Sequence, residues 1–143
     1  MHVEDANGGN LYTKSEDVMS DALAHSIAGL LATMPDDMSV FVPTESSKER
    51  LRQGMNAPTT ISWGANNRTT ALRLPDTGQH YKHIEHRVAG ADADVGAVIR
   101  AVLAGIEHGM THTLTPPPQI YGDASDDQDG CLLYTSPSPR DRG

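Results

Sequence analysis

Apolar residues recur at helical intervals in two separated stretches, and the sequence between them is written for strands and turns. That alternation limits the fold to helices packed on a small sheet. In the first stretch Val18, Met19, Ala22, Leu23, Ile27, Leu30, Leu31 and Met34 share the helical spacing, and Thr13 with Glu16 has the spacing of a capping box. An amphipathic helix is predicted from Ser15 to Thr33, ended by Pro35. In the second, Val95, Val98, Ile99, Val102, Leu103, Ile106 and Met110 follow Asp92 and Asp94, either of which can cap the helix. Between them, Ser39–Val42 reads as a brief strand and Thr44–Pro58 as a loop. Thr59–Trp63 and Thr69–Leu74 read as two antiparallel strands around the turn Gly64-Ala65-Asn66-Asn67, and Lys82–Val88 as a third. Asn7-Gly8-Gly9 marks a turn or hairpin tip near the start. The fold class that follows is α+β, a small mostly antiparallel sheet with two main amphipathic helices.

Charge narrows the partners. A formal net charge of -8 without a cluster of Lys and Arg argues against a nucleic-acid backbone or an anionic membrane surface. Nothing in the first residues has the charged-then-apolar order of a secretion signal, so a cytoplasmic location is expected. The single cysteine, Cys131, opens the segment CLLYTSPSPRD, which reads as the in-frame translation of a common transposase-based sequencing adaptor. Residues 131–143 are therefore expected to be a disordered tail without evolved information, leaving 1–130 as the natural portion.

Candidate chemistry concentrates in the middle. On a strand, His83, Glu85 and Arg87 share one face while Ile84, His86 and Val88 share the other. A carboxylate is thereby flanked by two groups able to carry positive charge, which suits anionic oxygens and a hard cation. The same pattern also suits a solvated strand face with cross-strand ion pairs. Arg50, Arg68 and Arg73 lie on or beside the same elements, and guanidinium forks bind carboxylate and phosphate in bidentate fashion. Strict alternation separates Arg68 from Arg73, and they converge only if Arg68 belongs to the turn or a bulge intervenes. His80, His83 and His86 alternate faces and make a poor zinc site; His108 and His112 read as solvated surface. Trp63 reads as core filling.

The run Ser62-Trp63-Gly64-Ala65-Asn66-Asn67-Arg68-Thr69-Thr70-Ala71-Leu72-Arg73-Leu74-Pro75 resembles the strand-pair motif S-W-G-x-x-N-R-T-x-A-x-R-[IL]-P of the glutamine synthetase family. Ile84-Glu85-His86-Arg87, continuing as Ala89-Gly90-Ala91-Asp92-Ala93, resembles that family's I-E-x-R-x-x-[GA]-x-D-A segment. The resemblance implies the C-terminal part of a catalytic domain whose parent enzyme uses ATP to form γ-glutamyl phosphate, from which ammonia or an amine displaces phosphate. It implies Mg2+ or Mn2+ as cofactor, glutamate and an amine or ammonia as substrates, and a ring-shaped homo-oligomer. By the same resemblance Glu85 and His2 are metal ligands, Arg87 and Arg50 bind glutamate, Arg68 stabilises the transferring phosphoryl group, and Arg73 and His83 contact the nucleotide.

The departures are informative. His83 stands where the family has an arginine, Ser46-Ser47-Lys48 replaces Asn-Ser-Tyr, and Asp94-Val95-Gly96 replaces Asn-Pro-Tyr. Asn56 stands where ammonia-using members carry a glutamate that guards and deprotonates ammonium, which points to an organic amine as acceptor, as in the glutamate-polyamine ligases. The family's N-terminal β-grasp domain and its other metal-binding glutamates are expected to lie before Met1. A chain of this extent is expected to be inactive alone; serving as a non-catalytic interaction module is the alternative.

Overall fold

The computed structural model describes residues 1–12, 19–51, 58–76 and 82–124. The capping-box pair Thr13 and Glu16, Asn56, His80 and the adaptor-like tail lie outside the described residues. Helix α1 spans Asp21–Phe41, α2 Glu45–Glu49 and α3 Val95–Thr111, with strands β1 Trp63–Ala65, β2 Leu72–Leu74 and β3 Glu85–His86 between α2 and α3. The architecture is α+β, and no helix among the described residues is long and apolar enough to cross a membrane.

Helix α1 runs straight through the point where the sequence rule ends it. Ser20 caps it by accepting from the Leu23 N–H, and Pro35 lies inside it. A proline within a helix costs about 3 kcal/mol through the lost donor and the ring clash. Met38 and Phe41 beyond it are 1% and 2% exposed, and burying two such side chains contributes about 1.5–3 kcal/mol each. Tertiary burial therefore outweighs the local penalty, and Ser39–Phe41 belongs to the last turn of α1 rather than to a strand. The predicted loop after it also contains structure, since α2 is held by a capping box in which Thr44 and Ser47 satisfy each other's backbone N–H groups.

The sheet order is β1-β2-β3, and the first pair is parallel, not antiparallel. Trp63, Gly64 and Ala65 face Leu72, Arg73 and Leu74 in register. Two changes of direction in residues 66–71 make this possible: Asn66 has φ 51°, and the Asn67 carbonyl accepts from the Thr70 hydroxyl at 2.7 Å. The far side of β1 is taken by the segment after α3, through Ile120 N–H to Trp63 O (2.9 Å) and the Asn67 amide to the Ile120 and Gly122 carbonyls. Strand β3 pairs antiparallel with β2, so the sheet is mixed. On the other side of β3, Met1 and Ile84 exchange backbone hydrogen bonds at 2.5 and 2.7 Å, and the predicted hairpin follows with Gly8 at φ 81°.

Helices α1 and α3 meet along a glycine seam of Gly29, Gly105 and Gly109, and the core joins α1 to Trp63, Leu72, Ile84 and Val88 from the sheet region. Trp63 is 5% exposed and donates its indole N–H to Pro117 O, as core filling requires. The apolar face of α3 is narrower than its sequence periodicity: Val102 and Ile106 are buried, whereas Val95, Ile99 and Leu103 are exposed. Asp94 is its cap, and its other end closes with Thr113 N–H to Met110 O and Leu114 N–H to Gly109 O, a paired C-terminal motif that needs a left-handed residue. That residue is Thr113 at φ 48°, a conformation a β-branched side chain adopts only under strain. Thr113→Gly is expected to raise stability by about 1 kcal/mol, read from the urea midpoint at unchanged slope.

His86 lies on the apolar side of β3, its ring 4.6 Å from that of Phe41. Neither ring nitrogen has a hydrogen-bond partner among the described residues. Burial pushes its pKa down to about 4, helped by the positive Met1 amino group. The ordinary value is 6.5, so the depressed group contributes its full stability above that pH and loses it as pH falls toward 4. Stability is expected to fall by about 2 kcal/mol between pH 7.5 and 5. His86→Leu should flatten that dependence in urea melts, and an equally steep profile in the variant would contradict the assignment.

Candidate functional site

Strand alternation puts Ile84 and Val88 inside, 1% and 0% exposed, and turns Glu85 and Arg87 to the opposite face. The antiparallel register sets Arg73 of β2 directly across from Glu85 of β3. The Glu85 carboxylate is then held from two sides: Arg73 Nη1 to Oε2 at 2.7 Å and Arg87 Nε to Oε1 at 3.0 Å. Arg73 and Arg87 are only 14% and 18% exposed, against 38% for Glu85. The second fork of Arg73 donates to Asn66 Oδ1 at 2.8 Å, which ties the guanidinium to the left-handed turn after β1. From sequence Asn66 is legible as a turn residue that tolerates positive φ, but not as a partner of Arg73.

The cluster is not neutral. Two guanidinium groups face one carboxylate, leaving a net charge of +1, and Arg73 Nε and Arg87 Nη1 are buried without a partner among the described residues. Unsatisfied buried donors on a positive group are costly and suit an anionic oxygen. Burial holds the Met1 amino group below its ordinary pKa, and the nearby Glu85 carboxylate opposes that shift.

The remaining predicted residues are spread around this cluster. Arg50, at the end of α2, donates to the carbonyls of Arg87 and Val88, so it braces the exit of β3. Arg68 falls in the turn between β1 and β2, as convergence with Arg73 would require; it is exposed and makes no hydrogen bond to another described residue. His2 pairs with Glu4 at 2.9 Å, not with Glu85. His83 lines a cavity of about 350 Å3 bounded also by Met19, Leu23, Asn66, Leu74 and Asp76.

A divalent cation does not fit these residues by themselves. Both Glu85 oxygens are engaged by guanidinium groups, and no group of three or more His, Cys, Asp or Glu among the described residues could hold a metal ion.

The family model for the glutamine synthetase catalytic domain matches residues 1–133. Gamma-glutamylputrescine synthetase of Escherichia coli is 38% identical over 127 residues, covering 86% of this chain and 27% of that protein. Gamma-glutamylethanolamide synthetase of Streptomyces coelicolor is 31% identical over 124 residues, 87% of this chain and 26% of that protein. A glutamine synthetase of Pyrococcus woesei is 32% identical over 112 residues, 76% of this chain and 26% of that protein. The chain thus spans about a quarter of the length of these relatives.

Proposed function

The chain belongs to the glutamine synthetase family, and from that premise we propose that it forms part of a ligase joining glutamate to an organic amine through γ-glutamyl phosphate, with ATP as phosphoryl donor. The observation that carries the reading is the pair of buried guanidinium donors beside Glu85 that have no hydrogen-bond partner among the described residues. Phosphoryl transfer to a carboxylate gathers negative charge on several oxygens at once, and preorganised positive charge is the largest contribution a protein makes to such a step. In this reading Arg73 takes nucleotide phosphate oxygens and Arg87 the glutamate carboxylate. Arg68, exposed on its turn, reaches the transferring group, while Arg50 acts through the backbone it braces and His83 approaches the nucleotide from its cavity. Ligases of this family use ATP and a divalent metal; the steps assigned to this chain run through its guanidinium groups. Glu85 holds those groups in place, and its role as a metal ligand, with that of His2, is part of the proposal for the longer protein. So is the division into a natural portion, 1–130, and an adaptor-derived tail, with the portion inactive alone.

An amine acceptor is supported by Asn56 in place of glutamate and by two relatives named for putrescine and ethanolamide products. The relatives named glutamine synthetases favour ammonia as the second reading. A chimera in which this chain replaces the matching quarter of the Escherichia coli relative separates the two. Asn56→Glu in that chimera is expected to raise the ratio of glutamine to γ-glutamylputrescine formed by about 100-fold, the low end of what one positioned acid–base group contributes. An unchanged ratio would remove Asn56 from acceptor choice.

A further inference from the structure

Helix α3 carries His108 and His112 in its last turn and cap, four residues apart and therefore on one face. Both are exposed; their ring centroids lie 4.6 Å apart with planes tilted by 46°. His112 Nδ1 sits 3.0 Å from the His108 carbonyl oxygen. A carbonyl can only accept, so the neutral ring carries its proton on Nδ1 and its free lone pair on Nε2. A backbone carbonyl holding the other ring nitrogen is the arrangement that orients histidine ligands in metal sites.

The platform beneath the pair is fixed. The His112 N–H also donates to His108 O, Leu114 N–H closes onto Gly109 O, and His25 Nδ1 of α1 donates to Leu114 O at 2.8 Å. The rings therefore stand on a capped helix end tied to its neighbour.

We propose that His108 and His112 form a two-histidine chelate for a divalent transition ion of borderline softness, zinc being the representative, with water in the remaining positions. Imidazole nitrogen suits zinc, nickel and copper, not the hard magnesium ion, and two histidines at this spacing on a helix are a known pairing for zinc. The site is carried by α3, whereas the guanidinium cluster is carried by β2, β3 and the residue that follows β3.

The test is a titration of the whole chain with zinc chloride, following the histidine ring nitrogens by NMR and the heat of binding. The Nε2 resonances of His108 and His112 should shift together, saturating at one equivalent. His108→Gln and His112→Gln should each lower the affinity at least tenfold, with helix content by circular dichroism unchanged. Ring nitrogens that do not move at saturating zinc, or an affinity unchanged in the double variant, would overturn the proposal.

Discussion

Gly109→Ala is expected to lower the midpoint of thermal unfolding by about 5–10 °C, among the largest effects of a single methyl group at the described glycines. A Cβ there would overlap the carbonyl oxygen of His25 and lie 2.8 Å from the backbone nitrogen and Cα of Gly29. Gly29→Ala is equivalent from the other side, overlapping Gly105 O and reaching 2.6 Å from Gly109 Cα. The obstacles are helix backbone, which cannot rotate away as a side chain does, so α1 and α3 would have to separate along the seam. Overpacking of this kind costs about 3 kcal/mol or more, against a helix-propensity gain of about 1 kcal/mol for replacing glycine. Gly105→Ala meets chiefly the Thr33 hydroxyl and the end of Leu30, and should cost less. Gly96→Ala, in the first turn of α3 and clear of α1, should change the midpoint by no more than a few degrees. Equal effects at all four positions would mean that the seam is not a backbone contact.

Glu85→Gln is expected to have the largest effect on chemistry, lowering ligase turnover in the chimera by about 1,000-fold, the upper range for removing one preorganised charge. The amide keeps the shape but removes the negative charge that holds Arg73 and Arg87 at 2.7 and 3.0 Å. Two guanidinium groups less than a fifth exposed would then repel without a counterion and turn away from each other. The chain should also lose about 2 kcal/mol of stability, in keeping with the loss of charge-assisted hydrogen bonds. Arg73→Lys is not expected to restore function to Arg73→Ala, since an ammonium cannot reach Glu85 and Asn66 at once with the fixed fork that Arg73 uses. Turnover within tenfold of the parent in Glu85→Gln would show that the carboxylate is not central.

Legibility in the sequence followed how local the cause was. The faces of β3 were readable because its alternation is enforced by Ile84 and Val88 entering the core. The Asn7-Gly8-Gly9 turn was readable because a positive φ decides it on the spot, and an aspartate cap on α3 was readable as Asp92 or Asp94, of which the structure uses Asp94. Pro35 misled because its penalty is local while the burial of Met38 and Phe41 that overrides it is not. The direction of β1 against β2 was hidden for a related reason. Turn residues announce that the chain bends, but here it bends twice, and the segment around Ile120, more than fifty residues onward, takes the other flank of β1. The arginines and Glu85 could be named as candidates, yet their meeting depends on the Arg73–Glu85 register, and that register exists only because β2 and β3 are neighbours.

We propose above that this chain supplies the guanidinium face of a glutamate–amine ligase. The most direct test is the amount of γ-glutamylputrescine formed from ATP, glutamate and putrescine by the folded chimera, with and without Glu85→Gln. Product is expected from the chimera, with a loss of about 1,000-fold in the variant. A folded chimera that forms no product, or a variant that forms it at the parent's rate, would contradict the proposal.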